Sequence, residues 1–155
     1  MKCNIPKLIE KQTSLQCGKH AINNLLQQKL ANCNELKKSA KNISKNFDIP
    51  LNELLNTNSG YYDVSVLVSF LQSNNYQVDQ LQQTDFHKIS RKQSPRLIGY
   101  IFGDGHHWMS LRKTNIKGCY FIIDSLIDEP IKVDVVKKWL EENPKIIGIK
   151  VLNPK

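Results

Sequence analysis

Gln12-Thr-Ser-Leu-Gln-Cys17-Gly-Lys-His20-Ala-Ile-Asn-Asn-Leu-Leu26 is the stretch that organises the chain. Ala21, Ile22, Leu25 and Leu26 recur at helical spacing, and Ser14 stands just upstream as an N-cap would. The pattern predicts a helix from Cys17 to Lys29, so a cysteine opens it. Unpaired N–H groups and partial positive charge at a helix N-terminus favour thiolate over thiol. Gly18 is expected to remove bulk beside the sulfur and let a carbonyl approach. Taken alone, the segment favours the plainer reading, a small buried cysteine at a helix start.

Downstream, residues 31–58 are polar, with sparse Leu and Ile. Two short helices are predicted there, about 34–45 and 50–56, the second opening after Pro50. Gly60 breaks the chain. Asp63 caps a clearer helix, Val64 to Gln72, with Val64, Leu67, Val68 and Leu71 on one face. A strand follows at Tyr76–Leu81, then a short helical turn near Phe86–Lys92. Arg96–Phe102, His107–Lys113 and Cys119–Asp124 read as three strands, with turns at Gly103–Gly105 and Asn115–Gly118. A helix is predicted at Lys132–Glu142 and a last strand at Ile146–Leu152. Helices first, then a mostly antiparallel sheet with one late helix, make an α+β domain.

The chain has 155 residues, the length of a single domain over 1–155, and 40% of them are apolar, too many for a disordered chain. No apolar run approaches the roughly 18 residues a membrane span needs. The first twelve residues lack the apolar core of a secretory signal. A cytoplasmic protein is expected, acting in its own cell or in a host cell. Cys3, Cys17, Cys33 and Cys119 contain no Cys-x-x-Cys pair, which argues against a structural zinc site, and free thiols are expected. The net charge is +8, carried by 19 Lys and only 3 Arg. Arg is the usual reader of base edges, so this balance permits nucleic-acid binding without demanding it.

Two further places have reactive residues in a suitable context. His106-His107-Trp108 follows a Gly-Asp-Gly turn at a strand start. A nucleophilic cysteine needs a general base within hydrogen-bond reach, and histidine is the usual one. Neighbours on a strand point to opposite faces, which assigns the base to His107, leaves His106 exposed and disfavours a shared metal. Phe121-Ile-Ile-Asp124-Ser125 ends an apolar strand that hairpin logic places next to His107. Asp124 can accept the other ring N–H, the orienting role in a triad. The chain order Cys17, His107, Asp124 is that of papain-like cysteine hydrolases.

Glu10-Lys-Gln-Thr-Ser-Leu-Gln-Cys-Gly-Lys-His-Ala-Ile-Asn-Asn-Leu-Leu-Gln27 resembles the opening of the Josephin domain, the catalytic domain of ataxin-type deubiquitinases. Ser59-Gly-Tyr-Tyr-Asp-Val-Ser-Val-Leu67 resembles the family's Gly-aromatic-aromatic helix start. His107-Trp-Met-Ser-Leu-Arg112 resembles its His-Trp strand, and Asp124-Ser-Leu126 its Asn/Asp-Ser-Leu segment. The resemblance spans roughly residues 8–152. It implies a papain-like cysteine protease fold with Cys17 as nucleophile, His107 as general base, Asp124 as orienting residue and Gln12 as oxyanion donor. His20, Asn23 and Asn24 take structural roles, pointing from the first helix into the sheet. The implied activity is hydrolysis of ubiquitin isopeptide or ester bonds by a monomer that needs no metal or cofactor. The implied partners are ubiquitin, polyubiquitin and ubiquitinated proteins.

The chain departs from that pattern in two places. Asp124 stands where one branch of the family has Asn. The stretch between Leu30 and Gly60 is shorter than the family's long helical hairpin, and its low apolar content predicts easy local opening. Two other functions compete. Leader-cleaving peptidases fused to bacteriocin exporters also place Gln before Cys-Gly and cut after a double glycine. They usually carry Asp-Pro where this chain has Asp124-Ser125, and they lack the Asn-Asn-Leu-Leu helix. A non-catalytic basic binding module is supported by the charge, but the aromatic residues are not interleaved with the basic ones as a nucleic-acid platform needs.

Overall fold

Helix α1, Cys17–Leu26, is the element around which the chain packs. Of residues 18–26 only Lys19 is partly exposed, and a helix buried on nearly all sides needs a neighbour on every flank. The computed structural model describes residues 3–11, 17–56, 61–81, 94–104, 106–133, 141–142 and 146–154.

One flank of α1 is a six-stranded sheet. Its strands are β1 (Gln77–Leu81), β2 (Leu97–Gly103), β3 (Trp108–Lys113), β4 (Tyr120–Ile123), β5 (Ile131–Val133) and β6 (Ile147–Leu152). They lie in the order β1-β6-β2-β3-β4-β5, and every neighbouring pair is antiparallel. Side chains alternate across the sheet, as the two-residue period requires. Ile101, Trp108, Ile149 and Val151 join the helices in the main core, while Tyr100, Phe102, Leu111, Tyr120 and Ile122 form a second cluster.

The other helices with both ends among the described residues are α2 (Cys33–Phe47), α3 (Leu51–Leu54) and α4 (Val64–Ser73). Asp63 caps α4 as the sequence predicts, its carboxylate accepting the Ser65 N–H at 3.0 Å. The strands predicted before β5, and the last strand, fall within a residue or two of their expected ends. Helix α2 is longer and better anchored than expected. Asn32 caps it by accepting the Glu35 N–H at 2.9 Å. Leu36 and Ala40 are buried, and Ile43 continues the stripe one turn on. Three apolar residues at i, i+4 and i+7 suffice to hold α2 on α4. The second arm of the hairpin is the single turn α3, so the hairpin is short.

Two expectations are corrected. Ile131–Val133 was expected to begin or adjoin a helix but pairs with Tyr120–Ile122 as edge strand β5. Three residues have too little pattern to announce a strand, and here pairing decides the conformation. Residues 134–140 of that predicted helix lie outside the described residues, as do Ser14, Gly60 and the turn near Phe86–Lys92, while Glu141 and Glu142 are helical. Secondly, Cys3 and Cys119 are joined in a disulfide rather than free. The pairing arises because residues 3–11 run back over the molecule as an extended strap. Its start reaches the β3–β4 hairpin, where the Asn4 N–H also donates to Asn115 Oδ1 at 2.8 Å.

The strap is fastened along α1 by side-chain amides. The Gln27 amide pairs with both backbone groups of Leu8, each at 2.8 Å. Asn24 does the same to Glu10, accepting its N–H at 2.5 Å and donating to its carbonyl at 3.2 Å. His20, Asn23 and Asn24 are buried as expected, but their polar partners include this strap, not the sheet.

The space left by Gly18 is filled by protein. A methyl at this position would lie 3.0 Å from Leu67 Cδ2, 3.3 Å from the Tyr62 ring and 3.7 Å from Trp108 Cδ1. Glycine therefore lets the first turn of α1 approach α4 and β3 closely. Gly18→Ala should destabilise the fold by about 1–3 kcal/mol, the usual cost of overpacking a filled core. Chemical denaturation measures this, and an unchanged midpoint would mean that the contact is not tight.

Candidate active site

The site is built where β3 begins and β4 ends. Asp104 Oδ1 accepts the backbone N–H groups of His106 and His107, each at 2.9 Å, and the Asp104 N–H returns to the His107 carbonyl at 3.3 Å. These bonds are the local reason the chain turns at Asp104 before β3. Burial raises the Asp104 pKa, but the two N–H donors outweigh it and hold the carboxyl below its ordinary value. His106 is exposed, whereas the His107 side chain is 15% exposed.

Ser110 faces Ile123 across the β3–β4 ladder, so the residue just past β4 falls beside the start of β3. That residue is Asp124. Its Oδ1 lies 2.6 Å from His107 Nε2 and also accepts the Leu126 N–H at 2.9 Å. Burial works against the Asp124 charge, but the bonds from His107 and Leu126 overcome it and leave the carboxyl below its usual range. An ionised carboxylate can only accept, so Nε2 carries the hydrogen. In the neutral ring the lone pair then belongs to Nδ1, the atom able to take a proton from a nucleophile.

Trp108 fixes the register of this end of β3. Its indole N–H donates to the Tyr62 carbonyl at 2.9 Å, and its ring stacks on Tyr61 with centroids 5.1 Å apart and planes 4° from parallel. On the facing strand Gly103 is opposite Trp108, and a methyl there would come within 2.5 Å of the indole. Glycine at 103 thus allows the ring to lie flat over the strand. The Tyr61-Tyr62 and His107-Trp108 segments, separate in sequence, meet here.

Helix α1 brings Cys17 to the same end. Gly18 packs beside Trp108, and at the other end the Arg112 guanidinium donates to the Leu25 carbonyl. Four residues of strand span about 13 Å and seven of helix about 10 Å, so α1 and β3 run alongside each other in the same direction. The opening residue of α1 therefore lies toward the start of β3, the strand that His107 precedes. A cation at the helix C-terminus also complements the helix dipole.

The structure thus brings together His107, Asp124 and the N-terminus of the helix that Cys17 opens. Gln12 lies outside the described residues. Among the described residues no group of three His, Cys, Asp or Glu side chains could hold a metal ion. Sequence reading missed two contributors. Asp104 could have been found as the acidic centre of the turn before His107. The Glu10 carboxylate, 2.6 Å from His20 Nδ1, sits in the same motif as its partner.

The profile of the Josephin family matches residues 12–146, most of the chain. The chain belongs to the Josephin family. Among solved structures it is similar to a double glycine motif protease from an AMS/PCAT transporter, in complex with the leader peptide, with a TM-score of 0.50 and 11% identity. The match covers 96% of this chain and 94% of that one. The Josephin chain therefore has a papain-like α+β fold, and family and fold are those of cysteine peptidases. No curated protein matches it.

The two histidines should separate cleanly by mutation. His107→Ala should lower turnover by about 10²-fold or more, as loss of a general base does, whereas His106→Ala should leave it nearly unchanged. Asp124→Asn should retain more activity than Asp124→Ala, because an amide oxygen still accepts the Nε2 hydrogen. Reversal of the histidine ranking in a steady-state assay would place the base one residue earlier.

Proposed function

We propose that the protein is a deubiquitinase that hydrolyses the isopeptide or ester bond after the C-terminal glycine of ubiquitin. One observation carries the reading: in a Josephin-family chain, the partly buried carboxylate–imidazole pair of Asp124 and His107 lies at the start of β3, the end of the sheet toward which α1 begins. In the proposed reaction His107 Nδ1 takes the Cys17 proton, and the thiolate attacks the glycine carbonyl carbon. The developing oxyanion is held by the Cys17 backbone N–H and the Gln12 side-chain amide. Collapse expels the amine or alcohol, which receives its proton from His107. Water activated by the same ring then cleaves the thioester and restores the thiol. Asp124 keeps the ring oriented and stabilises its charged form.

The double-glycine leader peptidase reading shares the fold, which therefore cannot choose between them. The Josephin match favours ubiquitin. Ubiquitin carrying an electrophile at its C-terminus should form a single adduct, mapped by peptide mass spectrometry to Cys17 and absent from Cys17→Ala. An adduct that persists in that variant, or reaction with a double-glycine leader in place of ubiquitin, would overturn the proposal.

A further inference from the structure

Behind the site lies a second carboxylate–imidazole pair, which the proposed chemistry does not use. Glu10 Oε1 is 2.6 Å from His20 Nδ1, and both carboxylate oxygens accept from Asn23 Nδ2, at 3.1 and 3.0 Å. Asn23 is itself immobilised, since its Oδ1 accepts the N–H groups of Leu30 and Ala31 at 3.0 and 2.7 Å. The Glu10 backbone is held on both sides by Asn24. Side chain and peptide of one strap residue are thus fastened to three residues of α1, all 4% exposed or less.

That density of bonds exceeds what a surface strap needs. Burial lowers the His20 pKa, although the Glu10 hydrogen bond and charge pull it upward. A neutral ring bonded to a carboxylate through Nδ1 carries its hydrogen on that atom. Among the described residues His20 Nε2 then finds no hydrogen-bond partner. Among the described residues Glu10 is therefore the hydrogen-bond partner that orients the ring.

Glu10 is two residues before Gln12 in the chain. The other end of this short connection is Cys17, the first residue of the helix to which Glu10 is tied. We propose that Glu10 is a positioning residue: it clamps the strap, two residues before Gln12 in the chain, to the Cys17 helix through His20, Asn23 and Asn24, and the oxyanion role proposed for Gln12 depends on that clamp. The inference rests on the oxyanion reading of Gln12 and is independent of what the substrate is.

The test compares two reactions of the same thiol in the full chain, each mapped to Cys17 by peptide mass spectrometry. Acylation by p-nitrophenyl acetate develops an oxyanion, whereas alkylation by iodoacetamide does not. Glu10→Ala should slow acylation about tenfold, part of the full effect of losing an oxyanion donor, and change alkylation less than about twofold. Glu10→Gln should restore most of the loss, because one amide oxygen can still accept from both His20 and Asn23. In a Gln12→Ala background, Glu10→Ala should add almost nothing. Equal slowing of both reactions, failure of Glu10→Gln to rescue, or losses that multiply in the double variant would overturn the proposal. A normal acylation rate in Gln12→Ala alone would instead remove the oxyanion reading beneath it, and the proposal with it.

Discussion

Helix α1 and strand β3 run side by side in the same direction, tied at one end by Gly18 against Trp108 and at the other by Arg112 on the Leu25 carbonyl. A cysteine hydrolase needs its thiol and its imidazole on independent elements at a defined separation. Two rods fixed at both ends supply that with little freedom to slide. The remaining elements act on this pair of rods. Strand β2 backs β3, β4 delivers Asp124 to its start, and α4 presses on the first turn of α1. The strap closes the remaining flank with polar bonds, since α1 presents Asn23 and Asn24 there and Gln27 follows its last turn.

Most of the architecture was legible in the sequence because the strong elements have clear periods. Helix α4 has its cap and apolar face in plain view, and strands β2 to β4 are apolar runs separated by glycine-containing turns. His107 could be chosen over His106 from strand alternation, and their exposures agree with it. What escaped reading was decided by partners distant in the chain. Strand β5 exists through its pairing with β4, and the Cys3–Cys119 bridge through the path of a strap with no periodic signal. Gly18 was read for its effect on chemistry, whereas it packs against Leu67 and Tyr62, contacts that a linear reading cannot see.

The site uses burial to make weak acids and bases cooperate. Asp124 would resist ionisation in an apolar setting, but its bonds to His107 and Leu126 reverse that and keep it charged. Its depressed pKa makes a stability contribution fully present above the unfolded value of about 3.9 and lost as pH falls through the folded one. Behind α1 a second carboxylate, Glu10, accepts hydrogen bonds from His20 and Asn23. One carboxylate holds the His107 ring, and the other fastens the strap to α1.

The most direct test of the central claim, that the fold sets Cys17 against a base oriented by Asp124, is the pH dependence of iodoacetamide alkylation mapped to Cys17. The account predicts an apparent thiol pKa well below the ordinary ~8.5 in the native protein, rising toward it in His107→Ala. A native Cys17 that titrates as an ordinary thiol, with no change on removing His107, would contradict it.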